Sequence, residues 1–157
     1  MVERLRRLIP GLWAGLLLCI AAIAAPAVFA MLGRADDSRA IGQILGRIFV
    51  VEAWTSLLLA MLLLAIERGR ARKRDGASEG SVLSAEMLLV LGTVFCTVAG
   101  YFAIQPLMPA ARAGLSVFSF GQLHAVSSVF FGLKFMLLVV LAWRATGPSS
   151  VSRRPFS

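Results

Sequence analysis

Three ionisable side chains stand within long apolar stretches of this chain: Glu52, His124 and Lys134. A charged group at the centre of a bilayer costs about 2.5–3.5 kcal/mol on insertion scales, so such residues need partners or a purpose. A carboxylate, an imidazole and an ammonium in sequence could carry protons or hold an ion along a pathway. His124 with Ser127 also has the residue types of a base and a nucleophile. Three residues apart on one helix, however, the two groups do not aim at one substrate atom, and no carboxylate orients the imidazole. The chain therefore reads as a non-enzyme. With one His and two cysteines, Cys19 and Cys96, it lacks metal-ligand spacing and offers no bis-histidine haem ligation within one subunit. No cofactor or metal is expected.

The spacing around these residues defines two polar stripes. At 100° per residue, His124, Ser127 and Ser128 share a helix face, and Lys134 projects on the same side. Glu52, Thr55 and Ser56 form a shorter stripe. Counted at about 1.5 Å per residue from one end of their helices, Lys134 lies roughly 13 Å deep, Glu52 roughly 21 Å and His124 roughly 28 Å. Glu52 is within side-chain reach of either neighbour, and the two stripes are expected to face each other. Three plainer arrangements suit the same residues. Lys134 can extend its ammonium to the head groups, Glu52 can carry a proton, and His124 can sit at the surface bonded to serine or backbone.

The elements that must hold these groups follow from composition. Of 157 residues, 59% are hydrophobic and 15% charged, against roughly a quarter charged in a soluble domain. The apolar residues fall into four blocks, each near the 20 or so residues that cross a bilayer. The fold expected is an all-α membrane protein, a bundle of four transmembrane helices at about 9–32, 43–66, 83–107 and 119–145. One domain covers 1–145, and residues 146–157 form a disordered tail. Ser119-Phe-Gly-Gln122 has the form of a capping box, Gly147-Pro148 a stop. Pro106 and Pro109 should end the third helix, and Pro26 should kink the first. Glu86 fits a first-turn acid, and Gln105 is placed in water at a helix end.

The net charge of +8 lies mainly between the apolar blocks. It does not form the stripe that nucleic acid requires, so nucleic-acid binding is not expected. Eleven Lys and Arg flank one membrane face, in the N-terminus, the second connection and the C-terminus; four flank the other. This bias places both termini in the cytoplasm of a bacterial inner membrane, with Trp13 and Trp143 in an interfacial belt. The second connection, Arg70–Ser81, should be flexible. Arg4, Arg6 and Arg7 before an apolar run resemble a secretory signal, with Val28-Phe29-Ala30 as a cleavage site. The run exceeds the roughly 7–15 residues of a signal core, so a retained helix is expected.

Small residues recur at four-residue steps, Gly11, Gly15 and Cys19 in helix one and Gly92, Cys96 and Gly100 in helix three. Such stripes let helix backbones approach in lipid. Gly15-x3-Cys19 also matches Gly92-x3-Cys96, and Glu52-x2-Thr55-Ser56 matches His124-x2-Ser127-Ser128. The match suggests a two-helix unit repeated in parallel.

His124-x2-Ser127-Ser128 heads the last span. Pro106 precedes it, with Arg112 six residues on. With Trp13, Gly42-Gln43 and Phe49, this pattern over residues 9–145 resembles the transmembrane protein 205-like family, whose bacterial branch is the domain of unknown function 4149. The resemblance implies four helices in the same order, an undefined activity and motif positions at Pro106, Arg112, His124, Ser127 and Ser128. Glu52 and Lys134 have no place in it.

Two functions follow. The first is a packing or assembly role, the bundle associating with itself, a partner protein and the lipid bilayer. The alternative is a small homodimeric transporter or proton-coupled permease using Glu52, His124 and Lys134, with an unidentified ion or small-molecule ligand.

Overall fold

A computed structural model describes residues 2–32, 38–75 and 84–146. Four helical spans, each long and apolar enough to cross a membrane, run Val2–Leu32, Arg39–Arg72, Ala85–Arg112 and Phe120–Thr146. There is no strand among the described residues. The first span is α1 (Val2–Cys19), a π turn (Ile20–Ala24) and α2 (Ala25–Leu32); the second is α3 (Ser38–Asp75). The third combines α4 (Ala85–Thr97), a π turn (Val98–Ala103), a 3-10 turn (Gln105–Leu107) and α5 (Met108–Arg112). The fourth is α6 (Phe120–Thr146).

Two helices run well past the boundaries expected from hydropathy. α1 begins at Val2 rather than near 9, which leaves Pro10 buried in its interior. α3 covers Ser38–Asp75 rather than about 43–66. The charged flanks are good helix formers, and ion pairs hold them in place. Arg6 Nε lies 2.6 Å from Glu67 Oε1 and Arg70 Nε 2.8 Å from Glu3 Oε1. Part of the connection expected to be flexible, Arg70–Asp75, is thus helical, while 76–81 lies outside the described residues. Thr146 ends α6, its hydroxyl bonded to the carbonyls of Ala142 and Trp143; the rest of the tail and Gly147-Pro148 lie outside the described residues.

Each span packs on two neighbours. α1 contacts α3 and α6, and α4 contacts α3 and α6, so spans two and four occupy opposite corners of the bundle. The core at one end is Trp13, Leu17, Ala60, Leu63, Val90 and Leu138. The small stripe of span three faces α6. A Cβ on Gly100 would stand 2.7 Å from Phe130 Cβ, and one on Gly92 3.0 Å from Leu137 Cδ1. The stripe of span one behaves differently from the expectation: Gly11 and Gly15 have nothing within 4 Å of an added Cβ, and Cys19 is exposed. It does not pack within this chain. The many exposed large hydrophobics, among them Leu12, Leu58 and Val129, suit a lipid-facing surface.

Spans one and three share a distortion. Each contains a π turn a residue or two beyond its cysteine, at Ile20–Ala24 and at Val98–Ala103. In span one the turn leads into Ala25-Pro26, where the missing amide and the ring clash of proline are absorbed by the widened turn. Span three continues past its prolines, because Pro106 and Pro109 each take a position at the start of a new helical turn, where proline needs no donor.

The turn between the third and fourth spans closes with Gly114 at φ +71°. Leu115 N donates to Ala110 O and Gly114 N to Ala111 O, the paired bonds of a helix end that needs a left-handed residue. α6 then starts on a reciprocal cap. Gln122 N donates to Ser119 Oγ at 3.2 Å and Ser119 N to Gln122 Oε1 at 2.9 Å.

Candidate functional site

Four polar side chains from three spans meet in the bundle. Lys134 Nζ donates to Glu52 Oε1 at 2.6 Å and approaches Ser56 Oγ at 3.4 Å. Ser56 Oγ donates to the same Glu52 oxygen at 2.5 Å and accepts from Trp13 Nε1 at 3.0 Å. All four side chains are buried. The serine hydroxyl thereby uses its one donor and both lone pairs. Glu52 and Ser56 are one turn apart on α3, which puts them on one face. Lys134 reaches them from the opposite corner instead of extending to the head groups. Its ammonium also lies 5.5 Å from the Phe131 ring centre.

Trp13 is not in an interfacial belt. It is 1% exposed, because a buried indole N–H needs an acceptor and Ser56 supplies one. Trp143, by contrast, is exposed.

A cavity of about 340 Å³ extends from Glu52 and Lys134 along the bundle to Gln105, Met108 and His124, with residues of all four spans in its wall. His124, Ser127 and Ser128 line it. They do not press against α3 as the facing-stripe expectation had it, and His124 and Ser128 are exposed. The reason lies in span one: beyond its π turn, α2 packs on α3, and Ala21, Ala25 and Phe29 form one side of an open space in front of α6. Gln105, expected in water, is half-buried in the cavity wall. Thr55 is half-buried and stands outside the hydrogen-bonded group. Ser127 Oγ donates to the His124 carbonyl at 3.0 Å, so its proton is committed to backbone and not to the imidazole. The π turn of span three contributes Gly100 and Tyr101 to the wall. Among the described residues, no three His, Cys, Asp or Glu side chains gather as a metal site.

Near the cavity's far end lies a second arrangement. The Arg112 guanidinium sits over the Phe120 ring, 4.5 Å from its centre, and Phe120 stacks on His124 at 5.8 Å and 12°. Gly42 lies directly under Arg112, where any Cβ would overlap Nη1. Phe49 meets Phe131 edge-on at 5.9 Å.

A model of a domain of unknown function, DUF4149, matches residues 8–116. The chain belongs to the DUF4149 family. The match covers the first three spans and the turn after them, including Trp13, Gly42, Glu52, Ser56, Pro106 and Arg112; α6, which carries His124 and Lys134, lies beyond it. No curated protein and no solved structure matches this DUF4149 chain.

Sequence reasoning missed two contributors. Trp13 joins the buried group, and its intramembrane N–H was a usable signal. Of the aromatic wall, Phe29, Phe49 and Tyr101, Phe49 stood in the family pattern, but none was legible as a wall, since an aromatic in a lipid-spanning helix has no preferred direction on its own.

Proposed function

We propose that this DUF4149 chain is a multi-pass protein of the bacterial inner membrane that binds a small amphipathic molecule inside its bundle. One observation carries this reading: a cavity of about 340 Å³ whose floor is the Glu52–Lys134 pair and whose walls are largely apolar. That volume falls within the roughly 300–1,000 Å³ usual for ligand sites. A role in pure packing would leave such a space filled by side chains. The Lys and Arg bias supports placing both termini in the cytoplasm, and the convergence of Gly42, Arg112 and His124 is compatible with the transmembrane protein 205-like resemblance. The Ser127 hydroxyl, bonded to backbone and not to the imidazole, supports reading the role as binding rather than catalysis.

The same site supports transport as a second reading, because the cavity ends on two titratable groups in mid-membrane. Assembly through the outward Gly11–Gly15–Cys19 face would supply the homodimer that four helices need for a pathway.

The test is a thermal-stability screen of purified protein against amphiphiles, lipids and metals. A cavity ligand raises the melting temperature with its concentration, as mass action requires. The shift should vanish when Ser128→Trp fills the cavity. A ligand whose shift survives that change, or a screen in which no amphiphile stabilises, would overturn the binding reading. Reporter fusions after Arg72 and at the C-terminus check the topology, both being expected on the cytoplasmic side.

A further inference from the structure

The hydrogen bonding at the cavity floor defines the head group that fits there, given that the cavity is a binding site as proposed above. Glu52 receives both of its bonds, from Lys134 and Ser56, on Oε1. Among the described residues no group bonds Oε2, and no buried side-chain oxygen or nitrogen lacks a partner. Oε2 is therefore not sealed in protein; Glu52 lines the cavity, and this oxygen is its acceptor there. Lys134 also lines the cavity. Its ammonium has three N–H donors, of which Glu52 takes one and Ser56 another at 3.4 Å. The floor thus offers one acceptor and one donor side by side.

The charges of the floor cancel. An ionised head group brought to it would itself become the uncompensated charge in an apolar surround, which is costly. A neutral group that both donates and accepts meets Oε2 and the ammonium together and leaves the ion pair intact. We infer that the cavity takes an uncharged amphiphile whose head carries a hydrogen-bond donor and an acceptor, an alcohol or a primary amide, with its apolar body along the aromatic wall. Two sources supply that chemistry, a neutral lipid of the bilayer or a dissolved amphiphile.

The test holds the tail constant and changes the head. Decanol, decanamide, decanoate and decylammonium are titrated into delipidated full-length protein in a non-ionic detergent at about pH 8, where the acid and the amine are both charged. Binding is read from melting temperature and from the emission of Trp13, whose indole shares Ser56 with the ion pair, in a Trp54→Phe, Trp143→Phe background. The Ser128→Trp protein, read by melting temperature alone because its added indole would mask Trp13, serves as the reference for micelle effects.

Decanol and decanamide should bind at least about tenfold tighter than either ion. Glu52→Gln leaves Lys134 unpaired and should turn the preference to decanoate. Tighter binding of decanoate or decylammonium by the unaltered protein overturns the inference while leaving the cavity a binding site. Binding of none of the four, or equal binding by the Ser128→Trp protein, overturns the binding reading itself. A neutral lipid that co-purifies and is displaced by decanol supports the inference with the bilayer as source. An empty protein that binds decanol supports it with a dissolved source.

Discussion

Lys134 and Glu52 join two spans at opposite corners of the bundle, which otherwise meet through little more than the Phe49–Phe131 ring contact. α3 and α6 occupy opposite corners, yet Nζ and Oε1 are 2.6 Å apart. The contact is a strut across the bundle, and its two side chains are only 4% and 3% exposed.

Removing one partner of this pair should be far more damaging than removing both. Hydrogen bonds between membrane helices average about 0.6 kcal/mol, but an abandoned buried charge costs about 3–5 kcal/mol, and that larger effect decides the outcome. Lys134→Ala should destabilise by about 3–5 kcal/mol, whereas Glu52→Leu with Lys134→Met should recover most of the loss. Unfolding of the three proteins in mixed micelles checks the order.

The two small-residue stripes should answer oppositely to a larger side chain. Gly100→Leu collides with Phe130 and should cost about 1–3 kcal/mol, as overpacking does. Gly15→Leu meets open space and should leave the melting temperature of the monomer unchanged. Equal losses at both positions would contradict the packing described.

The turn leading into α6 relies on two local devices. Ser119→Ala removes half of the reciprocal cap and should cost about 1 kcal/mol. Gly114→Ala forces a Cβ into the left-handed region and should cost about 1–2 kcal/mol. Chemical denaturation of each variant measures both.

At the end bearing the N-terminus, two of the three ion pairs between spans differ sharply in burial. Arg6 and Glu67 are 13% and 7% exposed, while Arg144 is 47% exposed against Glu86. A double-mutant cycle on Arg6 and Glu67 should show coupling of about 0.5–3 kcal/mol. The Arg144–Glu86 cycle should stay below about 1 kcal/mol and fade in salt.

The spans were legible in the sequence because lipid demands uninterrupted apolar length, and the Ser119–Gln122 cap because its chemistry is local. The ends of α1 and α3 were not legible. Hydropathy measures what lipid solvates, and Arg6 and Glu67 continue the helix beyond it. The Glu52–Lys134 contact could be approached from burial cost and depth. The facing of His124, Ser127 and Ser128 could not, because a helical wheel fixes directions only within one helix. The course of span one past Ile20–Ala24, which opens the space before them, is a property of the packed bundle. Trp13 was misplaced for a related reason: indole is at home both at an interface and beside a buried acceptor, and only the position of Ser56 chooses.

The ion pairs that tie adjacent spans together, Arg6–Glu67, Arg70–Glu3 and Arg144–Glu86, all lie at the end with the N-terminus, and Arg6, Glu67 and Glu86 border one small pocket there. Toward the opposite end lie the large cavity, both π turns and the 3-10 turn of span three. The molecule is stapled by charge at its base, whereas spans three and four are held at the rim by apolar contacts of Ile104, Met108 and Leu123, like a four-petalled calyx. Thermal breathing should pivot at the base and widen the rim, so entry and exit of the proposed guest would need no unfastening of the charged knot below.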